Sequence, residues 1–75
     1  MKSNNEMLKI LLCEIKVALG EEDIRGCDNL VEMGGNSLIA MRISATLKQR
    51  NKILVNVAQL LSNKISDVEL SQLKE

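Results

Sequence analysis

The stretch Met33-Gly34-Gly35-Asn36-Ser37-Leu38-Ile39-Ala40-Met41-Arg42 decides how this chain is read. Two glycines remove side chains from a turn, where one backbone position can take a positive φ and a neighbouring surface can come close. A serine follows at the entrance of an apolar, helix-forming run. That position predicts an N-cap, with the Ser37 hydroxyl lying in the positive end of the helix dipole, a place that tolerates an added phosphate. An isolated Gly-Gly-x-Ser is more simply a turn followed by a helix cap, so the reading depends on what surrounds it.

Working downstream, the helix is predicted from Ser37 to about Arg50. At roughly 100° per residue, Ile39, Ala40, Ile43 and Leu47 gather on the side away from Ser37 and form the expected core face. Leu38, Met41 and Ala45 gather on the Ser37 side. One buried stripe suffices for a bundle helix, so an exposed Leu-Met patch beside a serine reads as a partner surface. The alternative is that Leu38 and Met41 pack against the preceding loop. Asn51-Lys52 ends this helix, and Ile53-Leu54-Val55, with no second β-branched run to pair with, reads as an extended linker on the core. Asn56 and Gln59 form an N-x-x-Q cap for a short third helix through Leu61. Ser66 and Glu69 form a capping box, with Ile65 and Leu70 at the positions of a hydrophobic staple. They predict a last helix to about Leu73, with Leu70 and Leu73 inward.

Upstream, Ser3-x-x-Glu6 is another capping box, and Leu8, Leu11, Leu12, Ile15, Ala18 and Leu19 recur on one helical face. Gly20 is a natural stop, placing a first helix at about 4–19. Ile10 and Val17 fall off that face. Residues 20–36 make a long connection that Ile24, Leu30, Val31 and Met33 can tack to the core; loops of this length in small domains usually carry function or pack their own side chains. The expectation is therefore an all-α four-helix bundle with a short third helix and a long loop between helices one and two. It is a single domain spanning 1–75.

Composition narrows the function classes. The 75 residues hold 45% hydrophobic residues, no Phe, Tyr or Trp, no Pro and no His, with ten basic residues balancing ten acidic ones. A neutral chain without aromatics or a basic stripe is a poor nucleic-acid binder. Cys13 and Cys27 are too few and too far apart for a zinc site, so no metal is expected, and free thiols in a reducing cytoplasm are favoured over a disulfide. Neither a signal peptide nor a membrane span is present in the polar start and Glu14-interrupted run that follow Met1. A serine hydrolase is disfavoured, because there is no His and because Ile39 stands where a G-x-S-x-G elbow has its second glycine.

The fifteen residues Asp28-Asn29-Leu30-Val31-Glu32-Met33-Gly34-Gly35-Asn36-Ser37-Leu38-Ile39-Ala40-Met41-Arg42 resemble the core motif of peptidyl carrier, or thiolation, domains, D-x-F-F-E-L-G-G-x-S-L-x-A-M/T-R. The acid stands nine residues before the serine, as in that family, and a weaker likeness runs over nearly the whole chain. Leu60-Leu61 stands at a Leu-Phe pair, and Ser66 at a Thr that caps the last helix. Leu30-Val31 replaces a Phe pair, Asn51-Lys52 replaces Phe-Gly, and a Pro before the last helix is missing. These departures lighten the core without touching the serine motif.

The resemblance implies an acyl-carrier-like fold and a non-catalytic role in nonribosomal peptide or hybrid peptide-polyketide biosynthesis, a secondary-metabolite setting. Ser37 would receive 4′-phosphopantetheine from coenzyme A through a phosphopantetheinyl transferase with Mg²⁺. The transferase must supply the base, since no histidine here can activate the serine. The arm's thiol would carry aminoacyl or acyl thioesters between an adenylation or acyltransferase loading enzyme and downstream condensation, ketosynthase, tailoring or thioesterase enzymes. Tethering raises the effective concentration at each. Gly34, Gly35 and Asn36 would admit the transferase, Leu38 and Met41 would meet partners with Arg42 at the edge, and Asp28 would order the loop. The implied protein is a cytoplasmic monomer without membrane or nucleic-acid partners. An acyl carrier of polyketide or fatty-acid synthesis is the near alternative, though such carriers usually read D-S-L and are strongly acidic. An unmodified helical interaction module is the distant one. A leading Met and one-domain length fit a freestanding carrier and an excised synthetase domain equally.

Overall fold

Ser3 opens the chain's first helix as its sequence demands. Its Oγ accepts the Glu6 N–H at 3.2 Å and donates to the Glu6 carboxylate at 3.4 Å. Helix α1 then spans Asn4–Leu19 and stops at Gly20, whose φ of 65° is the left-handed conformation glycine adopts without strain. These elements come from a computed structural model that describes residues 3–73. Along α1 the fully buried positions are Met7, Leu11 and Ile15. The expected stripe is thus rotated slightly: Leu8, Leu12 and Leu19 are half-buried, Met7 joins the core, and Ala18 is exposed.

Residues 21–36 follow as the long connection. Ile24 and Leu30 plug it into the core and Met33 packs at the margin, but Val31 is exposed rather than inward. Asp28 orders the loop as anticipated, its carboxylate accepting the Arg25 N–H at 2.8 Å. The loop is also stitched to a distant segment: Ile65 N–H donates to the Asp28 carbonyl and Ser66 N–H to the Gly26 carbonyl, each at 2.9 Å.

Helix α2, Ser37–Asn51, is the hub, packing against α1 and against the elements that follow it. Its core residues Ala40, Ile43 and Leu47 are buried, Ile39 is half-buried, and Leu38, Met41 and Ala45 face outward, which is the phase expected from the sequence. Lys52 ends it in the left-handed region with φ 56°.

Two expectations fail beyond this point, and they fail together. Residues Ile53–Val55 are a strand, β1, and not an unpaired linker, because they pair antiparallel with a second strand, β2, Leu70–Gln72. The register sets Ile53 opposite Gln72 and Val55 opposite Leu70. Between them lies the short helix α3, Val57–Ser62, capped by Asn56 Oδ1 on the Gln59 N–H at 3.1 Å. The fourth helix does not form among the described residues: Ile65–Asp67 is a single 3-10 turn, and the chain then extends into β2. The architecture is therefore three α-helices with a two-stranded sheet, not an all-α four-helix bundle. The reason is tertiary. Gln59 Oε1 takes the Glu69 N–H at 2.7 Å, and the Asn56 N–H donates to the Glu69 carbonyl at 3.2 Å, so the backbone that would turn into a helix is claimed by its neighbours.

Among the described residues the core is apolar without aromatic side chains, draws buried residues from every element except β2, whose Leu70 packs at its margin, and contains no buried polar or charged residue. Leu11, Ile15, Leu30, Ile43, Leu47, Ile53, Leu60 and Ile65 are fully enclosed. No described helix is long and apolar enough to cross a membrane.

Candidate functional site

The loop entering α2 folds into a stack of tight turns. Met33 N–H bonds to the Asn29 carbonyl, Gly34 N–H to Val31 and Gly35 N–H to Leu30, at 3.1, 3.1 and 2.9 Å. The two glycines serve different needs. Gly34 has φ 104° with open space around it, so its demand is conformational. Gly35 has ordinary φ, but a Cβ there would stand 2.6 Å from Leu30 Cγ and 2.9 Å from the Leu30 carbonyl oxygen. Its demand is steric, imposed by a fully buried leucine. Both glycines thus have reasons within the chain itself, whatever may approach from outside.

Asn36, and not Ser37, caps α2. Its backbone is extended, and its Oδ1 accepts the Ile39 N–H at 3.0 Å. Asparagine competes well with serine for this role, and the residue with extended φ and ψ wins it. The correction has a chemical consequence. Ser37 becomes the first helical residue, exposed, and its hydroxyl makes no hydrogen bond among the described residues. The Ser37 and Leu38 N–H groups, unlike that of Ile39, have no protein acceptor among those residues, as expected in a first helical turn.

Asn29 is the positioning residue that sequence reasoning passed over. Its Oδ1 accepts the N–H groups of Val31 and Glu32 at 2.8 and 3.1 Å, and its Nδ2 donates to the Asn63 carbonyl at 2.8 Å. One side chain therefore shapes the start of the turn stack and ties it to the end of α3. An asparagine that nucleates a turn through its own side chain is a readable signal. Its second partner, 34 residues away, is not.

Outward from Ser37, one helical turn on, Leu38 and Met41 are 65% and 61% exposed, large values for apolar side chains. Arg42 is exposed as well, and it lines a groove of about 310 Å³ between α1 and α2 with Glu14, Val17 and Thr46. The structure thus brings Gly34, Gly35, Asn36, Ser37, Leu38, Met41 and Arg42 to one end and flank of α2. Cys13 and Cys27 are exposed free thiols. Among the described residues, no three His, Cys, Asp or Glu side chains gather as a metal site.

This arrangement suits attachment of a phosphate-bearing group. A free, exposed hydroxyl sits at the positive end of a fifteen-residue helix, beside two unclaimed N–H donors that can face an anion. The chain has no histidine, and no side chain among the described residues hydrogen-bonds to the Ser37 hydroxyl to make it a nucleophile on its own. Comparison with known proteins gives no match among curated proteins or solved structures. A family model described as "Phosphopantetheine attachment site" matches residues 9–69, from the first turns of α1 to the threshold of β2. The chain belongs to that family of carrier proteins, and the cofactor its membership implies is a covalently attached 4′-phosphopantetheine.

Proposed function

We propose that this chain is a peptidyl-type carrier whose Ser37 bears the phosphopantetheine arm and presents aminoacyl or acyl thioesters in nonribosomal peptide or hybrid peptide-polyketide synthesis. The observation that carries the reading is the Asn36 cap, which leaves the Ser37 hydroxyl free and exposed at the start of α2. The arm supplies a terminal thiol that holds cargo as a thioester. The rest is the work of this chain's residues. Asn36 fixes the helix start, Gly35 lets the turn close over Leu30, and Asn29 holds that turn against α3. Ser37 Oγ forms the new phosphoester bond as the pyrophosphate P–O bond of coenzyme A breaks, its proton passing to a base on the transferase and adenosine 3′,5′-bisphosphate departing.

Leu38 and Met41 supply an apolar docking patch for the transferase, the loading enzyme and the downstream enzymes, with Arg42 at its margin. The Gly-Gly-Asn-Ser motif and zero net charge favour the peptidyl type over the acidic acyl carriers of fatty-acid and polyketide synthesis. A cytoplasmic monomer, modified by a separate transferase, completes the reading.

The test is a two-step reaction followed by intact mass. Coenzyme A and a broad-specificity transferase should add one phosphopantetheine, and the product should then be acylated by adenylation enzymes. Loading by a malonyl transferase alone would place it with polyketide carriers. No addition by a transferase active on another carrier would overturn the assignment.

A further inference from the structure

Residues 65–73 carry two conflicting instructions. Locally they are written as a helix, with Ser66-x-x-Glu69 as its capping box and Ile65 and Leu70 as its staple. In the fold they form a 3-10 turn and then strand β2. Two glutamines hold the strand form. Gln59 Oε1 accepts the Glu69 N–H at 2.7 Å, the very donor that a Ser66 cap would use. Gln72 Nε2 donates to the carbonyls of Asn51 and Lys52 at 3.1 and 2.9 Å, where α2 ends. Gln72 Oε1 is buried without a partner, a cost that only the strand form bears. The Ser66 hydroxyl, meanwhile, makes no hydrogen bond among the described residues and remains available as a cap.

The bonds just upstream do not choose between the forms. Ile65 N–H to Asp28 and Ser66 N–H to Gly26 involve donors that a helix capped at Ser66 leaves outside its own ladder. The conflict is therefore confined to residues 67–73, with a fixed hinge before them.

We propose that residues 67–73 are a strap that exchanges between strand β2 and a helix capped by Ser66, with the Gln59 side chain as the latch of the strand form. In the strand form, Gln72 and the Leu73 N–H cover the carbonyls of Asn51 and Lys52. In the helical form those carbonyls and the backbone edge of β1 open to solvent. The end of α2 remote from Ser37 thus has two surfaces, and a partner that prefers one would shift the balance in proportion to its preference. The proposal does not depend on the chemistry at Ser37.

Backbone relaxation dispersion and Cα chemical shifts on the full chain test it. Exchange should be confined to residues 67–73 and to the residues they bond in the strand form, 51–56 and Gln59. Ser66→Ala, which removes no bond of the strand form, should lower the helical population about fivefold, the equivalent of one lost N-cap. Gln59→Ala should move the Cα shifts of 67–71 toward helical values. Should Gln59→Ala fail to fold, Ser66→Ala decides alone: unchanged exchange overturns the proposal. Pure strand shifts without exchange, pure helical shifts, or both variants moving the same way would overturn it too.

Discussion

Gly35 shows how much a single hydrogen atom can decide. Replacing it by a methyl group would press on Leu30 at 2.6 Å and, more seriously, on the Leu30 carbonyl at 2.9 Å, which is backbone and cannot rotate aside. Gly35→Ala should therefore lower stability by about 1–3 kcal/mol in urea unfolding, the usual cost of overpacking. Ser37→Ala should change stability by less than about 0.5 kcal/mol, since its hydroxyl holds nothing in the protein. Asn36→Ala should cost about 0.5–2 kcal/mol, the worth of a cap. If Ser37→Ala proved the more damaging of the two, the assignment of the cap to Asn36 would be wrong. At this scale the sequence was legible where a residue acts on near neighbours: the Ser3 cap, the Gly20 stop and the Asp28 loop bond all stand as read. The cap was misplaced by one residue because Asn36 and Ser37 are both good caps and only the backbone angles separate them.

Helix α2 has two apolar sides, one buried and one exposed, and paired variants separate them. Leu47 is fully buried on the core side, and Leu47→Ala should cost about 2–5 kcal/mol, whereas Lys48→Ala, one step around, should stay within about 0.5 kcal/mol. Equal losses would contradict the helical phase. Met41 stands on the open side at 61% exposure. Met41→Asp should leave the melting temperature nearly unchanged while slowing loading, because the new carboxylate must be desolvated against an apolar partner. A sharp fall in melting temperature would contradict its exposure. The phase of α2 was legible, and that of α1 to within a slight rotation, because fifteen and sixteen residues repeat one pattern. Strands of three residues carry no such pattern. The pairing of β1 with β2 rests on partners fifteen to nineteen residues apart and on Gln59 and Gln72, long-range bonds that outweigh the local capping signal at Ser66.

As a whole the molecule places its candidate site at the start of α2 and ties strand β2 to the other end, through Gln72 on the Asn51 and Lys52 carbonyls. A chain this small buries only about 60% of its unfolded surface, so its rigidity at Ser37 depends on a few anchors, chiefly Leu30, Asn29 and the core side of α2. The family was readable from the Gly34-Gly35-Asn36-Ser37-Leu38 motif and its flanks, and the match over residues 9–69 agrees. The central claim is that Ser37 alone receives the arm, and tryptic peptides can locate it. Cleavage after Arg25 and Arg42 releases Gly26–Arg42, which contains one hydroxyl side chain, Ser37; the following peptide, Ile43–Lys48, contains Ser44 and Thr46. After reaction with coenzyme A and a transferase, the added mass should sit on Ser37 within Gly26–Arg42, and Ser37→Ala should take up none. Addition at Cys27 or on Ile43–Lys48, or modification of the Ser37→Ala protein, would contradict the account.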